Sequence, residues 1–226
     1  MIKALRTELE KLKTRVLRLC ADVEENLNLA EKALIHMDLP LAEKIIVNDE
    51  EIDRVEITVE EKCMQILAQH HPVAGDLRFV VTALKINNDL ERIGDLTVKI
   101  ADRIRLLNQT GQSEGPAIRY PEQFRHMFRE TIRMVKMSLD SFVNEEPDLA
   151  YKVCIWDDEV DDAKIAIRQQ IEDTVLKEPG QQRYLGMLLS VSRSLERIAD
   201  HAVHIAENVI YMLQGHIVRH VFDDLE

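Results

Sequence analysis

Two six-residue segments of this chain are near-copies: residues 90–95 read LERIGD and residues 195–200 read LERIAD. They differ only at the fifth position, where Gly94 in one matches Ala199 in the other. Both segments lie in long stretches whose apolar spacing is typical of a helix. Because a duplicated sequence builds its fold twice, the match predicts a tandem repeat.

The sequence contains six separate stretches with helical periodicity. It predicts helices over residues 3–36, 40–70, 73–109, 122–145, 148–177 and 181–214. Asp38 is placed to cap the second helix, and Pro72 follows its end. We therefore expect an all-α fold, a tandem repeat of two three-helix bundles with six long helices. The predicted boundaries are 1–110 for the first repeat, 111–120 for a linker rich in glycine and proline, 121–215 for the second repeat and 216–226 for a tail.

Composition narrows the functional class. The net charge of −12 disfavours a nucleic-acid partner and suits cations or basic protein surfaces. No apolar run approaches the roughly 20 residues of a membrane span, and the N-terminus lacks the apolar core of a signal peptide. The three distant cysteines, Cys20, Cys63 and Cys154, favour reduced thiols. We predict a cytoplasmic protein that does not insert into a membrane.

Each copy of the repeated segment carries a glutamate and an aspartate four residues apart. These pairs are Glu91/Asp95 and Glu196/Asp200. Four-residue spacing places both carboxylates on one helix face, one turn apart, where like charges destabilise the helix by roughly 0.2–0.5 kcal/mol. A bound cation would remove that cost, so the duplicated pairs favour a metal site.

The second helix of each half carries a matching acidic pair. Residues 41–45 match residues 149–153 at an offset of 108, which aligns Asp49 with Asp157 and Asp53 with Asp161. The second half alone would equally allow Asp158 and Asp162, but the first half has Glu50 and Arg54 at those positions. If the paired helices are neighbours, four carboxylates converge in each half. Carboxylate ligands suit magnesium, manganese, iron or calcium rather than a structural zinc site. The identity of the ion stays open, and we carry iron, manganese, magnesium and zinc as the candidates.

The acidic stripe extends beyond these pairs. Asp102 and Glu207 each lie about two turns after the aspartate of the repeated segment, close to the same face. His204 lies one turn after that aspartate and adds a nitrogen ligand to the second half, where the first half has Lys99. The alternative for every acidic pair is a solvated helix face without a metal. His201 is interpreted as a capping or packing residue and not as a metal ligand.

Several segments together resemble the PhoU family. Residues 72–78 (PVAGDLR), 84–86 (LKI) and 89–95 (DLERIGD) resemble its first half. Residues 195–202 (LERIADHA) and 205–207 (IAE) resemble its second half. The resemblance covers essentially the whole chain, including its length and the two three-helix repeats.

The resemblance implies a cytosolic regulator of phosphate signalling. Its expected partners are the ATPase subunit of the phosphate ABC transporter, a phosphate sensor histidine kinase and a second copy of the chain in a homodimer. Such a regulator restrains phosphate uptake and keeps phosphate-starvation genes off when phosphate is plentiful. The family's E(D)xxxD motifs, which hold multinuclear metal clusters, carry onto this chain as Asp49/Asp53, Glu91/Asp95, Asp157/Asp161 and Glu196/Asp200.

Two residues depart from the pattern that the resemblance implies. His204 stands where an asparagine-like polar residue is expected, which leaves open whether the second site prefers another metal. Lys164 matches Glu56 of the first half, so the two sites are unequal in charge.

Three functional hypotheses compete. A regulatory adaptor without chemistry agrees with the resemblance and with the absence of a Gly-rich phosphate loop or Walker lysine from the sequence. A di-iron enzyme in a helical bundle would use Glu-x-x-His motifs, and the sequence contains none. A purely structural scaffold would bind no metal at its acidic faces. We favour the adaptor, with no catalytic residues and no nucleic-acid partner.

Overall fold

The computed structural model describes residues 2–109, 122–177, 180 and 182–218. Its elements are α1 (Ile2–His36), α2 (Leu39–His70), α3 (Ala74–Gln109), α4 (Glu122–Asn144), α5 (Pro147–Lys177) and α6 (Gln182–Gln214). The predicted all-α fold of six long helices is therefore confirmed. Each predicted helix boundary lies within one or two residues of the observed one.

The turns between the first two helices of each half show how closely the duplication is kept. Met37, with φ 49°, and Asp38 join α1 to α2, while Glu145, with φ 59°, and Glu146 join α4 to α5. These two turns match at the offset of 108 found in the sequence. The Asp38 side chain accepts a hydrogen bond from the Leu41 backbone N–H at 3.0 Å, as its predicted capping role requires. Two-residue turns of this kind reverse the chain and set consecutive helices side by side.

Helices α3 and α6 form the centre of the molecule. Helix α3 packs against α1 and α2, α6 packs against α4 and α5, and α3 and α6 pack along each other. The Arg78 Nε donates to the Met212 carbonyl at 3.0 Å, and the Thr82 hydroxyl donates to the Asn208 carbonyl at 3.3 Å. The two bundles are thus joined through the helices that carry the repeated segments.

Burial follows the sequence pattern. Apolar side chains on one face of each helix are fully enclosed, among them Leu90, Ile93, Leu195 and Ile198 of the repeated segments. The three cysteines are buried and free, as predicted. Among the described residues, no helix is both long enough and apolar enough to cross a membrane. The repeat boundaries stay a prediction, since the linker at 111–120 and most of the tail at 216–226 lie outside the described residues.

Candidate metal centre

The first carboxylate set consists of Asp49 and Asp53 on α2 and Glu91 and Asp95 on α3. Burial, together with the negative charges of Asp53, Asp95 and Glu91, raises the pKa of Asp49 to about 7. Burial and the charge of Asp95 also raise the pKa of Glu91. The structure therefore brings all four predicted residues of the first half together. Asp53 is exposed, so the set has a buried side and a solvent side.

The close approach of Asp49 to α3 depends on Gly94. A Cβ atom at position 94 would lie 2.7 Å from the Asp49 Oδ1 atom, well inside contact distance. Among the described residues, that buried oxygen has no hydrogen-bond partner. A buried acceptor without a partner costs free energy, and a cation is one group that would satisfy it. This unpartnered oxygen agrees with the metal hypothesis better than with a solvated helix face.

Two further contacts surround the first set. The Arg92 guanidinium lies 3.4 Å from Glu91 and 3.6 Å from Asp95, and its side chain is half exposed. Glu56 accepts a hydrogen bond from the Asn87 side chain at 2.9 Å. The charge of Glu91 acts on Glu56 and raises its pKa, after the larger effect of burial. Arg92 and His201 therefore act against the negative charge of the first set, while Glu56 adds to it.

The second carboxylate set consists of Asp157 and Asp161 on α5 and Glu196 and Asp200 on α6. Burial raises the pKa of Asp157 to about 7, and the charges of Asp200, Asp161, Asp158 and Glu196 add to the effect. The predicted residues of the second half are therefore neighbours as well. The negative charge of Asp158 also acts on Asp157, but the alternative pair Asp158/Asp162 has no counterpart in the first half, where Arg54 matches Asp162.

Lys164 distinguishes the second set from the first. Its Nζ atom lies 2.5 Å from Glu196 and 3.9 Å from Asp161. The hydrogen bond to Glu196 raises the pKa of Lys164, so the side chain stays charged. The second set thus contains a resident cation at the position where the first half has Glu56.

The remaining predicted ligands divide into two groups. Asp102 forms an ion pair with Arg105 at 2.8 Å and is not among the charges that act on Asp49, so it does not join the first set. His204 and Glu207 line a groove of about 760 Å³ together with Asp157 and Asp200 of the second set. The structure therefore extends the second set towards α3 but does not extend the first.

A cluster that sequence reasoning missed lies where this groove meets α3. The Asp89 Oδ1 atom is 2.9 Å from His201 Nδ1 and 3.6 Å from His204 Nδ1. Burial acts to raise the pKa of Asp89, but the interactions with His201 and His204 outweigh it and hold the pKa below its ordinary value. The interaction with Asp89 raises the pKa of His204. His201 therefore contacts Asp89 across the two bundles rather than capping a helix.

A signal for this cluster was present in the sequence. At the offset of 105 between the repeated segments, Asp89 aligns with Ser194 and His201 aligns with Leu96. Polar residues that break an internal repeat on its central helices are candidates for a role that only one half performs.

The donor sets fit two kinds of cation. The carboxylate sets offer only oxygen ligands, which suit magnesium, manganese or iron. In the part of the chain that the structure describes, one group brings three ligand atoms within 4.8 Å of one another, and it is Asp89, His201 and His204. The carboxylate sets would hold an ion only if side-chain rotations brought their oxygens closer together.

Comparisons with known proteins agree with the duplication. The family model of the PhoU domain matches residues 16–104 and 124–209, one match in each bundle. The chain is 37% identical over 215 residues to the phosphate-specific transport system accessory protein PhoU homolog of Pseudomonas aeruginosa, which covers 95% of this chain and 87% of that relative. It is 31% identical over 217 residues to the accessory protein PhoU of Escherichia coli, which covers 96% and 88%.

Solved structures give the same picture of the fold. The crystal structure of PhoU from Pseudomonas aeruginosa superposes with a TM-score of 0.88 at 34% identity, covering 93% of this chain and 99% of that one. The phosphate transport system regulatory protein PhoU from Streptococcus pneumoniae superposes with a TM-score of 0.85 at 28% identity, covering 95% and 99%.

Proposed function

The chain belongs to the PhoU family, and from this premise we propose that it is a negative regulator of phosphate uptake and of phosphate-starvation signalling. Relatives that match more than nine-tenths of this chain are named accessory proteins of the phosphate-specific transport system. The observation that carries the proposal to this chain is the pair of carboxylate sets, each built in the same register around one half-buried aspartate. We propose that the chain acts by binding rather than by chemistry, with no catalytic residue.

The metal-binding part of the proposal assigns cations to both carboxylate sets. When bound, a hard cation such as magnesium, manganese or iron would neutralise charges that now repel one another. Asp49 and Asp157 would be the inner ligands because they are the most buried of each set. Their partners on α3 and α6, Glu91/Asp95 and Glu196/Asp200, would face the ion from the opposite helix.

The adaptor part of the proposal names the partners by their surfaces. With a net charge of −12, the chain favours basic patches on the ATPase subunit of the phosphate transporter and on the sensor histidine kinase. Association through such patches weakens as salt screens the charges over about 10 Å at 0.1 M ionic strength. We also propose a homodimer that works in the cytoplasm and reaches the membrane only through these partners.

The test combines metal analysis with a cellular readout. The untagged protein is purified without chelator and analysed for metals by mass spectrometry, beside a Glu91→Gln/Glu196→Gln variant. A matched control carries Glu50→Gln/Asp162→Asn, which removes one exposed acidic residue from α2 and one from α5, neither of which belongs to a carboxylate set. We expect bound metal in the wild type and the control, and loss of metal in the first variant.

The same three proteins are then expressed in a strain that lacks the chain, with a phosphate-starvation reporter and an uptake assay. If the wild-type chain restores repression of the phosphate-starvation reporter, the regulatory proposal is supported whether or not the protein binds metal. Normal repression by a variant that has lost its metal would separate metal from regulation. A wild type that neither restores repression nor lowers uptake would overturn the regulatory proposal.

A further inference from the structure

We propose that Asp89, His201 and His204 form a binding site for one divalent transition-metal ion of the zinc class, placed between the two repeats. The inference does not rest on the proposed regulatory function. It also differs from the carboxylate sets in its ligand chemistry, since two of its three ligands are imidazole nitrogens.

The spacing of the ligand atoms carries the proposal. Zinc bonds to nitrogen and oxygen are about 2.0–2.2 Å long, so neighbouring ligands in a tetrahedral site lie roughly 3.3 Å apart. The Asp89 Oδ1 atom lies 2.9 Å from one histidine Nδ1 and 3.6 Å from the other. All three ligand atoms lie within 4.8 Å of one another, so an ion enters when the side chains rearrange around it and give up their direct contacts.

The side chains are also held in place for this role. His201 and His204 are three residues apart on α6, so they share one helix face. Their rings meet edge to face with centroids 5.6 Å apart. The Asp89 side chain is 10% exposed and that of His201 is 16% exposed, whereas His204 is 54% exposed. Two ligands are thus fixed in the core and the third faces the solvent from which an ion arrives.

The groove around the cluster favours a cation over an anion. It is lined by Asp157, Asp200 and Glu207 beside His204, with Lys85 as the one basic lysine or arginine among its lining residues. A phosphate group would meet this excess of carboxylates, whereas a divalent cation is attracted by it. A fourth ligand to the ion comes from water or from one of these carboxylates, as in zinc sites with three protein ligands.

The position of the site gives it a structural consequence. Asp89 is on α3 of the first bundle and both histidines are on α6 of the second, so the ion ties the two bundles together. An ion that binds only the folded chain stabilises it by mass action. Because Leu96 and Lys99 occupy the equivalent positions in the first half, the duplication does not supply a second copy.

The experiment uses Co²⁺ as a spectroscopic substitute for zinc on the full chain, stripped of metal with a chelator. Nitrogen-ligated Co²⁺ of low coordination number gives a visible absorption band that carboxylate-bound, six-coordinate Co²⁺ does not match in intensity. We expect one such ion per chain, displaced by Zn²⁺. The variants His201→Gln and His204→Gln each remove a direct ligand, so each should weaken binding by more than the roughly 10- to 100-fold that the loss of a supporting contact costs.

The matched control is His126→Gln. His126 also lies beside two carboxylates, Glu130 and Glu159, each at 3.9 Å, but it has no second histidine. The control should bind Co²⁺ as the wild type does, and saturating Zn²⁺ should raise the Tm of both proteins by at least about 4 °C. Circular dichroism verifies that each variant folds.

A second measurement needs no variant. In protein labelled with ¹⁵N at histidine, zinc should shift the Nδ1 resonances of two histidines and leave the others in place. An absent Co²⁺ band, a band unchanged in both histidine variants, or unshifted imidazole resonances would each overturn the site. The Glu91→Gln/Glu196→Gln variant keeps the band if the site is separate from the carboxylate sets, so the two proposals fail by different results.

Discussion

The two carboxylate sets share a helix register but differ in what surrounds their inner aspartates. Asp49 approaches the backbone of Gly94 and keeps one buried oxygen without a hydrogen-bond partner among the described residues. Asp157 faces a helix that has Ala199 at the matching position, and its set includes Lys164. Both aspartates nevertheless reach a pKa of about 7. The comparison shows that the duplication kept the acidic centre while its neighbours diverged.

That divergence predicts unequal sites. The first set has Glu56 where the second has Lys164, and its inner aspartate lies against Gly94, which favours a stronger hold on a hard cation. The second set carries a lysine that competes with the ion, and it opens towards the histidines of α6.

The largest effect is expected from Gly94→Ala. The new Cβ would lie 2.7 Å from Asp49 Oδ1, so the carboxylate must turn away from its present position. We expect cation affinity at the first set to fall about 10- to 100-fold, the size seen when supporting contacts of metal ligands are lost. The fold should survive, because alanine stabilises a helix interior by about 0.5–1 kcal/mol relative to glycine. Calorimetric titration with Mn²⁺ measures the loss.

The control for this prediction is the mirror substitution Ala199→Gly. It should cost about 0.5–1 kcal/mol of stability and leave the affinity of the second set nearly unchanged. Both titrations are made in backgrounds that lack the other set, with Glu196→Gln/Asp200→Asn or Glu91→Gln/Asp95→Asn. Equal affinities before and after Gly94→Ala would mean that Asp49 is not an inner ligand.

The next effect concerns pH in the absence of metal. The pKa of Asp49 rises from its ordinary value of 3.8 to about 7 on folding, so between these values the folded chain holds a proton that the unfolded chain has released. Stability therefore falls as pH rises through this window. We expect Asp49→Asn to stabilise the metal-free protein at about pH 8 by the order of 1 kcal/mol, allowing for partial exposure. Below about pH 4 the difference should vanish.

Asp157→Asn should behave in the same way, since burial and like charges raise the pKa of Asp157 by a similar amount. Urea unfolding across the pH range measures both variants. With saturating Mn²⁺ the sign should reverse, because asparagine is a poorer ligand than a carboxylate. If either variant were less stable than the wild type at every pH without metal, its aspartate would not be a repelled, half-buried member of a carboxylate set.

The sequence predicted the helices, and it placed an acidic pair on one face of each of four helices, because both follow from helix periodicity. Helix periodicity and the offset of 108 place Asp49 beside Asp53 and Asp157 beside Asp161 without knowledge of tertiary packing. The same rules also placed Asp102 on the acidic face, where the structure pairs it with Arg105 instead. At 1.5 Å per residue, Asp102 also lies about 10 Å beyond Asp95 along α3, so a shared helix face does not bring it to the first set.

The Asp89 cluster could not be predicted in this way, because it depends on how the two bundles pack. Asp89 and His201 are more than 100 residues apart, and their contact exists only because α3 lies along α6. The internal repeat predicts two bundles but does not predict which helices join them. Comparison of the two halves residue by residue would have marked Asp89 and His201 as exceptions, without showing that they meet.

The smallest effect is expected from Lys164→Gln. The lysine holds Glu196 and competes with any cation at the second set, and its removal leaves one more uncompensated carboxylate. Because the ammonium group is partly solvated, its contribution is that of a surface ion pair, and we expect cation affinity at the second set to rise about two- to fivefold. Glu56→Gln should lower the affinity of the first set by a similar factor. Lys152→Gln, three turns earlier on α5, is the control and should change neither set. If the second set still binds more weakly than the first after Lys164→Gln and Glu56→Gln are combined, the approach at Gly94, rather than charge, sets the difference between the two halves.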